Sequence, residues 1–224
     1  MRKSRKQQKN DRRRIVPITA KTINQKDYIR DIIDNDVIFC TGPSGSGKSY
    51  IAAGIAANHI YRDQVDQIIV TRPLVCAGQD IGSLPGELDE KIKPYLLPME
   101  ENLKHFLGRD YYGKLFNDGR IRYEPLEVMR GATFHEAYMI LDEAQNCTLS
   151  QIKMFITRMG ENSKVLINGD IRQTDIKKFS GLLECVDRLE GIEGVGVSRL
   201  YYEDIQRNGI IGRVLEALEE DYYD

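Results

Sequence analysis

Residues 42–49 read Gly-Pro-Ser-Gly-Ser-Gly-Lys-Ser, between the apolar run Val37-Ile38-Phe39-Cys40 and the Ala- and Ile-rich stretch Lys48–Tyr61. The octet matches G-x-x-x-x-G-K-[ST], and its flanks predict a buried strand, a glycine-rich turn and then a helix. The chemistry behind the pattern is specific. A polyphosphate needs several backbone N–H groups pointing inward, and only a glycine-rich turn curls tightly enough to supply them. The helix that follows presents its N-terminus, which favours negative charge. Lys48 is expected to reach the β- and γ-phosphates of a nucleotide and the Ser49 hydroxyl to ligate Mg²⁺. The expected nucleotide contacts are Gly42, Pro43, Ser44, Gly45, Ser46, Gly47, Lys48, Ser49 and Tyr50.

Outward from this loop, short apolar runs alternate with helical stretches. Asn24–Ile33 carries an apolar stripe of Tyr28, Ile29, Ile32 and Ile33. Strands are expected at Gln67–Thr71, Arg120–Tyr123, Tyr138–Asp142, Lys164–Asn168 and Gly196–Leu200. Helices are expected at Leu149–Met159, Ser180–Leu189 and Asp204–Leu218, and over Glu87–Leu107, where Pro94 and Pro98 predict interruptions. Strand runs without polar alternation are covered on both faces, so the pattern predicts one doubly wound α/β domain with a mostly parallel sheet.

Two further segments carry chemistry. Ile140-Leu141-Asp142-Glu143-Ala144-Gln145 ends an apolar strand in acid. In an open α/β sheet that end faces the phosphate crevice, where Asp142 is expected to hold Mg²⁺ and Glu143 to polarise an attacking water. Acidic residues also end strands and cap helices for purely local reasons. Gly169-Asp170-Ile171-Arg172-Gln173 follows another apolar run. Gln173 is expected to sense the γ-phosphate or orient the water, the alternative being a hairpin turn at Asn168-Gly169. Gln25, upstream of the first strand, has an amide able to pair with adenine in bidentate fashion. Thr71-Arg72-Pro73 ends the strand beside the loop strand, and Arg72 is placed to meet a phosphate or a nucleic-acid backbone.

Charge and cysteine usage set outer bounds. The chain has 224 residues, 41% hydrophobic and 29% charged, with net charge −2. This is a globular composition with no membrane span. Residues 1–14 hold eight basic residues against Asp11 alone, either an arm for nucleic acid or a solubilising tail. Residues 219–224 form an acidic tail. Cys40, Cys76, Cys147 and Cys185 lack metal or disulfide spacing, which fits small buried residues in a reducing, cytoplasmic setting.

Taken together, G-P-S-G-S-G-K-S, T-R-P-L-V-C-A-G (71–78), L-P-G-E-L-D-E-K-I-K-P-Y (84–95), M-R-G-A-T-F (129–134), I-L-D-E-A-Q-N (140–146), Q-I-K-M-F-I-T-R-M-G (151–160) and G-D-I-R-Q-T-D (169–175) closely resemble the PhoH family. The resemblance covers about residues 15–218. It implies a RecA-like P-loop core, related to the first lobe of superfamily-one helicases, that binds and hydrolyses ATP with Mg²⁺. By the same analogy Gln25 reads adenine, Asp142 and Glu143 serve metal and water, and Gln173 couples. It also implies a homo-oligomeric ring, such as a hexamer, and RNA or other single-stranded nucleic acid as a partner. One lobe alone lacks the cation that a second lobe supplies, so an arginine in trans is expected. Arg207 and Arg213 are the first candidates, with Arg158 and Arg130 in reserve. Two other functions fit a P-loop: a nucleotide-switched binding module with slow hydrolysis, and a nucleotide kinase.

Overall fold

A computed structural model describes residues 15–73, 88–172 and 180–206, with Ile210, Arg213 and Val214 beyond them; the side chains of residues 88–95 and 127 are not described. Gln173, Arg207, Cys76, the basic arm and the acidic tail lie outside the described residues. Six strands form one sheet: β1 (Val37–Thr41), β2 (Gln67–Thr71), β3 (Ile121–Tyr123), β4 (Ala137–Leu141), β5 (Lys164–Gly169) and β6 (Val195–Arg199). Their order is β3-β2-β4-β5-β1-β6, and every pairing is parallel. Asn168-Gly169 lies inside β5, so no hairpin forms there.

Parallel neighbours need long crossovers, and helices supply them. α1 (Ile23–Asp34) precedes β1; the crossovers carry α2 (Lys48–Tyr61), α3 (Leu88–Leu107), α4 (Arg109–Asn117), α5 (Leu149–Ile156) and α6 (Gly181–Leu189), and that from β3 to β4 a 3₁₀ turn, Leu126–Val128. Alternation along β4 shows why its whole run is apolar. Tyr138 and Ile140 point into a core shared with α1–α4, while Ala137, Met139 and Leu141 point into a second core under α5 and α6. Each large side chain so buried contributes about 1.5–3 kcal/mol relative to exposure. The buried thiols of Cys40 and Cys147 are ordinary core packing, and burial pushes the Cys185 thiol up to about 11.

Local signals start the helices. The Thr22 hydroxyl caps α1 by accepting from the Gln25 N–H, and Thr148 and Gln151 form a capping box at α5. The structure departs from expectation at three places. α3 runs unbroken through Pro94 and Pro98. Each proline removes one donor, and at i, i+4 spacing both gaps fall on one side of the helix, whose remaining bonds hold it. α4 is a helix that periodicity did not announce, because only Tyr112 and Leu115 of its nine residues are buried. After β6 the chain forms a 3₁₀ turn, Tyr202–Asp204, where a closing helix was expected to start; the described residues beyond it, Ile210, Arg213 and Val214, are helical. That turn is held by the buried Asp204 carboxylate, which accepts from the Tyr201 N–H at 2.7 Å.

The topology places the site. From β1 the chain crosses to β2 through α2 on one face; from β5 it crosses to β6 through α6 on the other. The direction of winding reverses at the carboxyl ends of β1 and β5, where a crevice opens.

Candidate functional site

The loop after β1 is fixed by contacts that leave no room for larger residues. Gly42 has φ +151, and a Cβ there would stand 2.5 Å from the Leu200 carbonyl oxygen. The Ser46 hydroxyl is buried and donates to the Pro43 carbonyl at 2.8 Å. Gly47, left-handed at φ 101, is the N-cap of α2. Ser44, Gly45, Gly47, Lys48, Ser49 and Tyr50 line a cavity of about 730 Å³, whereas Gly42, Pro43 and Ser46 form the scaffold beneath it.

Lys48 folds back over its own loop and donates from Nζ to the carbonyls of Gly42 and of Pro43, the latter at 2.9 Å. The Ser49 hydroxyl donates to Asp142 Oδ1 at 2.7 Å. The two residues expected to share a divalent cation therefore meet, although 93 positions separate them. Burial raises the Asp142 pKa, and the neighbouring Glu143 raises it further; the Ser49 hydrogen bond, Arg72 and Lys48 pull the other way.

Glu143 follows with a left-handed backbone, φ 57 and ψ 39, a conformation that costs a non-glycine residue about 1–2 kcal/mol. This turn aims its carboxylate into the cavity. Oε1 lies 3.2 Å from Arg72 Nη2, and Oε2 accepts from Gln145 Nε2 at 2.6 Å. Gln145 Oε1 in turn accepts from the Asp170 N–H at 3.0 Å. A Cβ at Gly169 would come within 2.8 Å of that same amide oxygen, so the missing side chain lets Gln145 bridge β4 and β5. Sequence reading overlooked Gln145; its one signal is its place two residues past Glu143.

Gln25 lines the cavity, but its amide is already engaged. Oε1 accepts from the Lys21 N–H at 2.8 Å, and Nε2 donates to the Ser46 carbonyl at 2.9 Å and to the Asp204 carbonyl at 3.4 Å. These bonds tie the amide to the loop and to the turn at Asp204. Gln206 adds a further tie, its N–H bonding the Gly45 carbonyl at 3.2 Å. Thr19, Lys21, Pro98 and Asn102 also line the cavity.

Of the arginines expected to act in trans, Arg158, Arg130 and Arg213 are among the described residues. Arg158 is committed to structure, with Nη1 donating to the Ala132 carbonyl at 3.1 Å. Arg130 and Arg213 are exposed and do not line the cavity. Among the described residues, the cations that do line it are Lys21, Lys48 and Arg72.

A parallel sheet with a glycine loop leading from its β1 strand into α2, and with acid at the end of β4, defines a P-loop nucleoside-triphosphatase fold of the RecA-like kind. The fold is similar to that of the large terminase of a thermophilic bacteriophage, solved in complex with ADP: TM-score 0.50, 13% identity, covering 91% of this chain and 50% of that one. The family model described as PhoH-like protein matches residues 17–219, and the chain belongs to that family. It is 42% identical over 205 residues to a PhoH-like protein of Bacillus subtilis, spanning 91% of this chain and 64% of the relative. It is also 42% identical over 211 residues to Protein PhoH of Escherichia coli K12, spanning 92% and 60%. The chain therefore spans less than two thirds of the length of these relatives. No helix among the described residues is long and apolar enough to cross a membrane.

Proposed function

We propose that the chain is an ATP hydrolase, with residues 15–218 acting as one domain. The observation that carries this reading is the convergence of Lys48, Ser49, Asp142 and Glu143 on one cavity of about 730 Å³, a size suited to a nucleotide. Lys48 and the loop N–H groups hold the triphosphate. Ser49 and Asp142 hold Mg²⁺, a hard cation that takes one or two protein oxygens beside water and phosphate. When bound, Mg²⁺ neutralises charge on the β- and γ-phosphates. Glu143 accepts the proton of the water whose oxygen attacks the γ-phosphorus; the bond to the β–γ bridging oxygen breaks, leaving ADP and phosphate. Gln173 is proposed to orient that water. Gln25, Pro43 and Ser46 support the loop, and Tyr50 forms part of the rim against the nucleotide.

Replacing Asp142 by Asn tests the metal role. Asn keeps an oxygen that accepts from Ser49 but carries no charge. Turnover at fixed Mg²⁺ is expected to fall at least about 10²-fold, and the Mg²⁺ concentration giving half-maximal rate to rise. The nucleotide-free protein is expected to melt higher than the parent at pH 7. A carboxylate whose folded pKa is raised lowers stability as pH rises past its unfolded value, and Asn removes that cost. An unchanged metal requirement would contradict the assignment.

The remaining cation on the γ-phosphate is proposed to come from a neighbouring copy in a ring, through Arg207 or Arg213. RNA is the proposed partner, with the basic residues 1–14 and net charge elsewhere acidic supporting a phosphate-binding arm. A second reading, a nucleotide-switched module, is favoured by one detail: both oxygens of Glu143 are already paired. Phosphate release from ATP, with and without single-stranded RNA, separates the readings. RNA stimulation is expected. Slow release indifferent to RNA points to the switch, and transfer of phosphate to an added nucleoside points to a kinase.

A further inference from the structure

Arg72 lies directly past β2, and the adjacent backbone is pinned to β4. The Asp142 N–H donates to the Thr71 carbonyl at 3.0 Å, and Thr71 pairs with Leu141 in register. This register sets the Arg72 side chain beside Glu143 in the lining of the cavity, where the two form an ion pair at 3.2 Å. The other two cations lining the cavity are placed differently. Lys48 is bound to its own loop, and the backbone of Lys21 is held by Gln25. Arg72 is the guanidinium beside Asp142 and Glu143.

We infer that Arg72 is a γ-phosphate ligand acting within its own subunit, which releases Glu143 when it changes partner. The inference rests on the ATP-hydrolase reading above and names a further residue of that site. A planar guanidinium binds a phosphate through two N–H donors at once, and Arg72 Nη2 here lies 3.2 Å from Glu143 Oε1. A terminal phosphate entering beside Asp142 and Glu143 draws Arg72 away from Oε1. Gln145, anchored to Asp170, keeps hold of Oε2, so Glu143 stays aimed into the cavity while Oε1 becomes open to water. ADP has no γ-phosphate and leaves the ion pair intact. One exchange of partners therefore reports the third phosphate and frees the proton acceptor together.

The test is a set of binding titrations on the full chain with Mg²⁺, using ADP and a non-hydrolysable ATP analogue. The parent is expected to prefer the ATP analogue. Arg72→Ala is expected to lose about 10–100-fold of that preference with ADP affinity kept, the range for losing one charge-assisted hydrogen-bonding partner. Arg72→Lys, which keeps charge without the fork, is expected to fall between them. Glu143→Gln removes the competing anion, so it is expected to tighten the ATP analogue where Arg72 is present and to leave it unchanged in the Arg72→Ala background. Equal tightening in both backgrounds would mean simple charge repulsion by Glu143 and would overturn the exchange. Loss of ADP binding in Arg72→Ala would overturn it too, since Arg72 would then be shaping the site. A parent that binds neither nucleotide would instead sink the ATP-hydrolase reading itself.

Discussion

Glu143→Gln is expected to reduce ATP turnover about 10³-fold, within the range for removing a general base, while uptake of Mg-ATP persists. The variant changes one atom of a side chain whose surroundings are already polar. Its amide oxygen still accepts from Arg72 or from Gln145, and the left-handed turn at φ 57 is as tolerable for Gln as for Glu. What disappears is an acceptor for the water's proton. Phosphate release at saturating ATP reads the loss, and equilibrium binding reads what is retained. Turnover within about tenfold of the parent would show that the proton leaves by another route.

Lys48→Ala is the second large effect. In the nucleotide-free protein Nζ satisfies the carbonyls of Gly42 and Pro43, contacts that compensate a cation waiting in an electropositive loop. Bound triphosphate offers a stronger partner, because charged hydrogen bonds exceed neutral ones. Truncation is expected to weaken Mg-ATP binding about 10²-fold and to lower turnover further, since charge on the transferring phosphoryl group grows in the transition state. Fold stability is expected to change little. Lys48 sits half-exposed at the first position of α2, and Ala is a good helix former there. A variant that hydrolyses ATP like the parent would contradict any role for this loop.

How far the fold was legible follows from where each signal resides. Gln67–Thr71 is read to the residue because its apolar run is covered on both faces and ends in a turn. The loop is legible because its glycines answer to backbone geometry that Gly42 shows directly: no side chain fits against Leu200. α4 escaped because an element that buries two of nine side chains carries little periodicity. The break expected at Pro94 and Pro98 overstated a local penalty that the rest of α3 absorbs.

Within the site, residue types were readable and partnerships were not. Asp142 and Glu143 announce themselves as acid at a strand end, yet only the sheet order puts Ser49 against one and Arg72 against the other. Gln145 reaches Asp170 because β4 and β5 are neighbours. Gln25 has the amide expected of a base reader, but its partners Ser46 and Asp204 come from distant parts of the chain. Pairings of this kind are tertiary facts, set by topology and not by spacing along the chain.

The most direct measurement is a calorimetric titration of the full chain with Mg-ATP, run beside Lys48→Ala. One saturable site per chain, weakened about 10²-fold in the variant, is the predicted result. No heat of binding in the parent, or the same isotherm for both proteins, would contradict a triphosphate site between the β1 loop and Asp142.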